Sequence, residues 1–273
     1  MKKMILVYDD NCPLCTWYSG LFVKYGFLTA EGRKPFSTLD DRLLAKIDFA
    51  KSRNEIPLLD ISTNKVLYGI DSLLEIFGQR IPLIKTAGNF APLKWCLKNI
   101  YKLISFNRKI IVAKKCGSGS IDCSPDTNYL YRCLFMAICL TFNSLMLYPI
   151  HNNILIKLSY FHISFTQLQA AHFDLVLINC TLAFRFSKVN GFEYLGQVNM
   201  LALSVILLLT PLLLIGAFIT EEWLLTLWLI LTAAFIFKEY VRRMEYLGVL
   251  TNNKWIVSIN LLSLSGFILF LFN

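Results

Sequence analysis

The hydrophobic pattern of this chain changes character near residue 129. Before it, apolar residues come in short runs at strand or helix spacing; beyond it, the runs are long enough to cross a bilayer. Met4–Tyr8 predicts a short apolar strand. Positions 13–27 put Leu14, Tyr18, Leu21, Phe22 and Tyr25 on one broad helical face. A second strand is expected at 34–37 and a second helix at 40–50. Segments 55–61 and Lys65–Tyr68 flank Ser62-Thr63-Asn64, a three-residue loop compatible with a hairpin. A helix at 71–77 follows, with Gly78 as its stop signal. The order βαβα–ββα predicts an α/β domain with one core over residues 1–112.

Residues 113–128 read as a linker, in which Cys116-Gly117-Ser118-Gly119-Ser120 has the composition of a flexible connector. An all-α, multi-pass transmembrane domain is expected over 129–273, with about five spans at 129–149, 168–186, 197–219, 223–240 and 255–272. The apolar stretch 154–166 reads alternatively as an amphipathic surface helix or a sixth span.

Composition agrees with that division. Of 273 residues, 56% are hydrophobic and only 16% charged, which excludes a disordered, collagen-like or disulfide-scaffold chain. The net charge of +9 is concentrated in the first part, where residues 1–128 hold 19 Lys/Arg against 12 Asp/Glu. Such a balance otherwise invites nucleic acid; beside membrane spans it is expected to face anionic lipid, with no nucleic-acid partner. Lys94, Lys98, Lys102, Arg108, Lys109, Lys114 and Lys115 follow one another without an acidic residue, and read as a solvated helix face and topology signal. Between spans, Arg185 and Lys188, then Lys238, Arg242, Arg243 and Lys254, mark two cytoplasmic loops, whereas 151–167 holds only Lys157 and 220–222 no base. The five apolar positions before Asp9 are too few for a signal peptide. The expected location is the cell membrane, with the N-terminal domain in the cytoplasm.

Cys12-Pro13-Leu14-Cys15 carries the sharpest chemical signal. It lies where a strand ends and a helix begins, so the first cysteine meets the free N–H groups and positive dipole end that favour a thiolate. Pro13 suits the first helical position. In a cytoplasmic setting this spacing reads as redox-active, with Cys12 as nucleophile and Cys15 as resolving thiol. The competing reading is half of a zinc site, although Cys116 and Cys123 are spaced too widely for an ordinary second half. Neighbouring Asp9 and Asp10 oppose the thiolate, leaving the sign of the shift at Cys12 open. No flavin or nicotinamide fingerprint is present, and no cofactor or metal is expected.

Ile56-Pro57-Leu58-Leu59, followed by a hairpin and Gly69-Ile70-Asp71, resembles thioredoxin and glutaredoxin domains. That resemblance implies a cis bond before Pro57, facing the cysteines, and a backbone edge at Ile56 and Pro57 that binds the substrate chain. Over residues 4 to about 112, Asp9-Asp10-Asn11-Cys12-Pro13-Leu14-Cys15, Tyr68-Gly69-Ile70-Asp71-Ser72, Asn99-Ile100-Tyr101-Lys102 and Asn107-Arg108-Lys109 resemble the DCC family of thiol-disulfide oxidoreductases, named for Asp-x-x-Cys-x-x-Cys. Asp10 and Ser72 depart from it, standing where the family has glycine and alanine. The resemblance implies Asp9, Cys12 and Cys15 as catalytic residues. Asp9 has two readings: acceptor of the Cys15 proton, or helix N-cap.

In the membrane half, His172 and Asp174 read as an interfacial pair, or else as the site of a transporter. Cys139 with Cys180 is the one pairing of matching depth for an electron relay. The function expected is a membrane-anchored thiol-disulfide oxidoreductase acting on protein or small-molecule thiols and disulfides. The alternatives are a non-catalytic docking module of a membrane complex and a transmembrane electron carrier.

Overall fold

Strand β1 (Met4–Tyr8) has all five residues buried because both its faces are covered. Met4, Leu6 and Tyr8 pack with Phe22, Leu28, Ile56, Leu58 and Ile76 on one side. Ile5 and Val7 pack with Phe36, Leu39, Ile47 and Leu59 on the other. The computed structural model that shows this describes residues 4–114, 125–215 and 221–271. It divides into two units, Met1–Arg132 and Cys133–Asn273. The connector expected at 116–120, with Cys116 and Cys123, lies outside the described residues.

In the first unit, β1 leads into α1 (Pro13–Lys24), then β2 (Arg33–Pro35), α2 (Asp41–Leu44), α3 (Phe49–Ser52), β3 (Pro57–Asp60), β4 (Lys65–Tyr68), α4 (Ile70–Arg80), α5 (Pro82–Gly88) and α6 (Ala91–Val112). The sheet order is β2-β1-β3-β4, with β1 and β2 parallel and the other neighbours antiparallel. Arg33 ties β2 to α1 by donating from Nε to Ser19 Oγ (2.9 Å) and from Nη2 to the Thr16 carbonyl (3.0 Å). The hairpin pairs Asp60 with Lys65, so its loop is one residue longer than expected, and Asn64 takes a positive φ of 55°. The Asp60 carboxylate organises it, accepting from the Ser62 and Thr63 backbone N–H groups.

Two local expectations are corrected. The helix expected at 40–50 is split into α2 and α3, because the Asp48 side chain accepts the Lys51 N–H and starts a new helix there. Gly78 does not stop α4, which runs on to Arg80. A Cβ on Gly78 would stand 2.5 Å from the Lys85 Cβ, so the glycine admits α5 against α4.

The second unit is helical, formed from α7 (Tyr129–Asn153), which begins just before the boundary, α8 (Phe165–Ala183), α9 (Lys188–Ile215), α10 (Glu222–Tyr246), α11 (Val249–Asn252) and α12 (Lys254–Leu271). Three segments, Tyr129–Lys157, Lys188–Ile215 and Glu222–Tyr246, are long and apolar enough to cross a membrane, and Lys254–Phe270 is a shorter apolar helix. α8 carries Gln167, Gln169, His172, Asp174 and Asn179, and does not reach that standard. Stretch 154–166 forms no helix of its own: its first residues close the Tyr129–Lys157 segment and its last open α8. It holds one short 3₁₀ turn, and Ile154 and Leu158 are buried in a cluster with Ile206, Leu209 and Leu225. Apolar side chains such as Leu227, Ile230, Leu231 and Phe235 face outward, as they do in helices with no water around them.

Polar side chains tie these helices together. The Tyr194 hydroxyl donates to Asn179 (2.6 Å), and the Asn260 amide donates to the hydroxyls of Tyr194 (2.9 Å) and Tyr240 (3.2 Å), joining α8, α9, α10 and α12. Arg242 and Arg243, counted above among the loop cations, both lie on α10 and pair with Glu239; Arg243 is buried and also donates to Gln197.

Candidate functional site

The turn from β1 into α1 presents the two cysteines. Cys12 is extended (φ −95°, ψ 111°) and forms the N-cap of α1, with Pro13 opening the helix. Its sulfur accepts the Cys15 N–H at 3.5 Å, the position an Asp or Ser oxygen takes in an ordinary cap. The Cys12 N–H in turn donates to the Asp9 carbonyl (3.2 Å). The Asp9 carboxylate accepts the Asn11 N–H (3.0 Å) and braces the turn; of its two expected roles, the N-cap falls to Cys12 instead. Asp10 is exposed and accepts a hydrogen bond from Ser37 (2.8 Å). Cys12 and Cys15 are 7% and 3% exposed, and both are free thiols.

Helix α6 completes the site from the far end of the domain. Tyr101, Ser105 and Arg108 recur at helical spacing and meet the segment 53–56. The Tyr101 hydroxyl accepts the Ile56 N–H (2.8 Å), Ser105 donates to the Asn54 carbonyl, and Arg108 Nη2 donates to the Arg53 carbonyl (3.1 Å). Arg108 Nη1 donates to the Cys15 sulfur (3.7 Å), and Nη2 lies 3.6 Å from Asp9 Oδ2, with the Arg108 side chain 11% exposed. Arg108 therefore leaves the solvated row of cations in which its sequence position had put it. Lys94 and Lys98 stay on the solvent side, where both pair with Asp71.

This arrangement separates the two thiols. The hydrogen bond from the Cys15 thiol pulls Cys12 down from the ordinary 9.0 to about 6, against burial and with help from the Cys15 N–H and the Arg108 cation. The same bond pushes Cys15 up, and burial adds to it. Burial also raises Asp9, with Arg108 opposing. Tyr18, hydrogen-bonded to Cys15, is raised by burial. The direction left open by sequence is thus downward for Cys12 and upward for Cys15.

The edge expected at Ile56 and Pro57 is corrected. No cis peptide bond occurs among the described residues, so the bond before Pro57 is trans. Pro57 opens β3 opposite Tyr68, a position where a missing N–H costs nothing. Both Ile56 backbone groups are already taken: the N–H by Tyr101, and the carbonyl by the Gly69 N–H (3.0 Å) and the Ser72 hydroxyl (3.0 Å). The Ile56 side chain packs in the same core as Cys12 and Cys15. Gly69 permits this closure. Its φ is +59°, and a Cβ there would meet Glu55 at 3.1 Å and the Tyr101 ring at 3.3 Å.

The ligand atoms of Asp9, Cys12 and Cys15 all lie within 4.8 Å of one another, close enough to share a metal ion. The Arg108 cation beside them disfavours a second positive charge. In the second unit, Asp174 is exposed while the Nε2 of His172 is buried, so the two do not form a pair in one environment. Cys139 is buried and Cys180 half-buried, and neither is in a disulfide. Arg108 and Tyr101 fall within the stretches that carry the family resemblance and Tyr18 on the face of the first helix, but sequence reasoning gives none of the three a role in the site. The i, i+4, i+7 spacing of Tyr101, Ser105 and Arg108 was the available signal. Comparison of the chain with protein-family models, curated proteins and solved structures finds no match.

Proposed function

We propose that this chain is a membrane-anchored thiol-disulfide oxidoreductase of the DCC type, working through the Cys12–Cys15 couple. The observation that carries the reading is the geometry at the head of α1: the buried Cys12 sulfur accepts the Cys15 N–H, an arrangement that pulls the Cys12 thiol down and pushes the Cys15 thiol up. The strand order β2-β1-β3-β4, with the cysteines after β1, resembles the thioredoxin and glutaredoxin arrangement and adds support.

In the mechanism we infer, the Cys12 thiolate attacks one sulfur of a substrate disulfide. A mixed disulfide forms, and the first substrate sulfur leaves as a thiolate that takes a proton from water. Cys15 then gives its proton to the Asp9 carboxylate and attacks the Cys12 sulfur. The Cys12–Cys15 disulfide forms, and the second substrate sulfur departs with its own electron pair. An external dithiol restores the reduced couple. Because the Ile56 backbone is occupied, recognition of the substrate rests on side chains around Cys12 rather than on strand addition.

The three long apolar helices support a membrane protein. We read α8 and α12 as further spans, and the Arg185, Lys188, Lys238 and Lys254 side as cytoplasmic, together with the dithiol. There the couple acts as a reductant.

The test is mechanism-based trapping in cells. Cys15→Ser should accumulate mixed disulfides through Cys12, whereas Cys12→Ser should not. Equal trapping by both variants contradicts the assigned order. The clustering of Asp9, Cys12 and Cys15 supports one second reading, a metal-holding docking module. Purified full chain with one zinc per chain and no turnover of a model disulfide would favour it.

A further inference from the structure

We propose that Arg108 is a positioning residue of the Cys12–Cys15 couple: a cation delivered by α6 that holds Asp9 and the Cys15 sulfur together and favours the dithiol over the disulfide. The inference deepens the oxidoreductase reading and rests on it.

Three observations carry it. First, the guanidinium is almost fully withdrawn from water and reaches the Arg53 carbonyl, the Cys15 sulfur and the Asp9 carboxylate together. In so dry a setting the cation acts on the Asp9 carboxylate and on the neighbouring sulfurs with little screening. A negative charge at the dithiol is therefore favoured by it.

Second, the guanidinium is held rigidly. Tyr101, Ser105 and Arg108 anchor successive turns of α6 to Ile56, Asn54 and Arg53, so the planar fork is aimed by the helix itself.

Third, the charge count changes with redox state. With Cys12 ionised, two anions, Asp9 and Cys12, share this cation; in the disulfide form only Asp9 remains. The cation therefore stabilises the reduced state preferentially. The groups facing the couple are Asp9 from the β1–α1 turn, Tyr18 from α1, and Tyr101 and Arg108 from α6, with Glu55 facing Tyr101. Arg108 is the cation in that set.

The experiment uses the full chain in detergent micelles. Cys12 alkylation is followed against pH, peptide by peptide, by mass spectrometry, and the Cys12–Cys15 couple is equilibrated against glutathione buffers. In Arg108→Gln the alkylation midpoint should move up from about 6, lowering the thiolate fraction of Cys12 at pH 7 severalfold. The thiol–disulfide equilibrium should shift toward the disulfide by roughly tenfold, about 30 mV. Arg108→Lys, which keeps the charge, should recover most of both.

An unchanged midpoint and equilibrium in Arg108→Gln, or no recovery in Arg108→Lys, overturns the proposal. Should Arg108→Gln fail to fold because Asp9 is left buried and unpaired, Asp9→Asn/Arg108→Gln leaves no stranded charge and is compared with Asp9→Asn alone. The same upward shift is then expected, and its absence overturns the proposal. A wild-type chain that equilibrates with glutathione but reduces no disulfide substrate removes the oxidoreductase reading and leaves the Arg108 result standing. Variants that match wild type while turnover persists remove the Arg108 inference alone.

Discussion

Cys12 does two jobs with one atom, since its sulfur caps α1 and is also the group that ionises. The two are physically the same act, because a negative sulfur accepts the Cys15 N–H more strongly than a neutral one. Stability and reactivity are therefore linked through pH. The folded-state pKa of Cys12, about 6, lies below the ordinary 9.0, so the thiolate stabilises the reduced chain fully above pH 9. That contribution declines as pH falls toward 6 and is gone below it. The thermal midpoint of the reduced chain, relative to Cys12→Ser, should widen from pH 6 to pH 9 and close below pH 6. A gap independent of pH contradicts the assignment of the thiolate to Cys12.

The elements show where local preference yields to packing. Glycine inside a helix usually costs roughly 0.5–1 kcal/mol relative to alanine, and residue 78 reads in isolation as a helix end. In the fold it lies within α4, where a Cβ would be driven into the Lys85 side chain near its root. Gly78→Ala should therefore destabilise rather than stabilise, by about 1–3 kcal/mol of overpacking less the helix gain. The check is hydrogen exchange across α5, which should become faster in the variant. Slower exchange there would show that α5 gives way without cost. The division of 40–50 into α2 and α3 has a related cause. Asp48 is a poor interior residue and a good cap, and its N–H is held by the Tyr68 hydroxyl (2.9 Å), a contact twenty residues away.

At the scale of the whole molecule, a unit with a small mixed sheet precedes a helical unit with three segments long and apolar enough to span a bilayer. The proposed cytoplasmic side of the dithiol is best probed away from it, because labelling of Cys12 also varies with its redox state and with pH. Cys96 on α6 is exposed and belongs to the same unit. A maleimide that cannot cross membranes should leave Cys96 unlabelled in intact cells and label it after permeabilisation. Labelling in intact cells would reverse the orientation and remove the cytoplasmic-reductant reading.

What the sequence by itself determined is whatever depends on near neighbours along the chain. The apolar run of β1, the Cys-Pro-x-Cys head of α1, the β3–β4 hairpin and the long apolar helices all follow from periodicity and turn chemistry over a few residues. What only the tertiary structure decided depends on partners tens of residues apart. Arg108 is 93 residues from Cys15, so it was legible as a cation in a stretch that resembles a family, and its contact with the thiols was not. The Ile56 backbone, expected as an open edge, is closed by Tyr101, 45 residues on, and by Gly69 and Ser72. Spacing along the chain places a thiol at a helix start. Which protons and cations surround that thiol is decided by how α6 packs, and no local pattern encodes that distance.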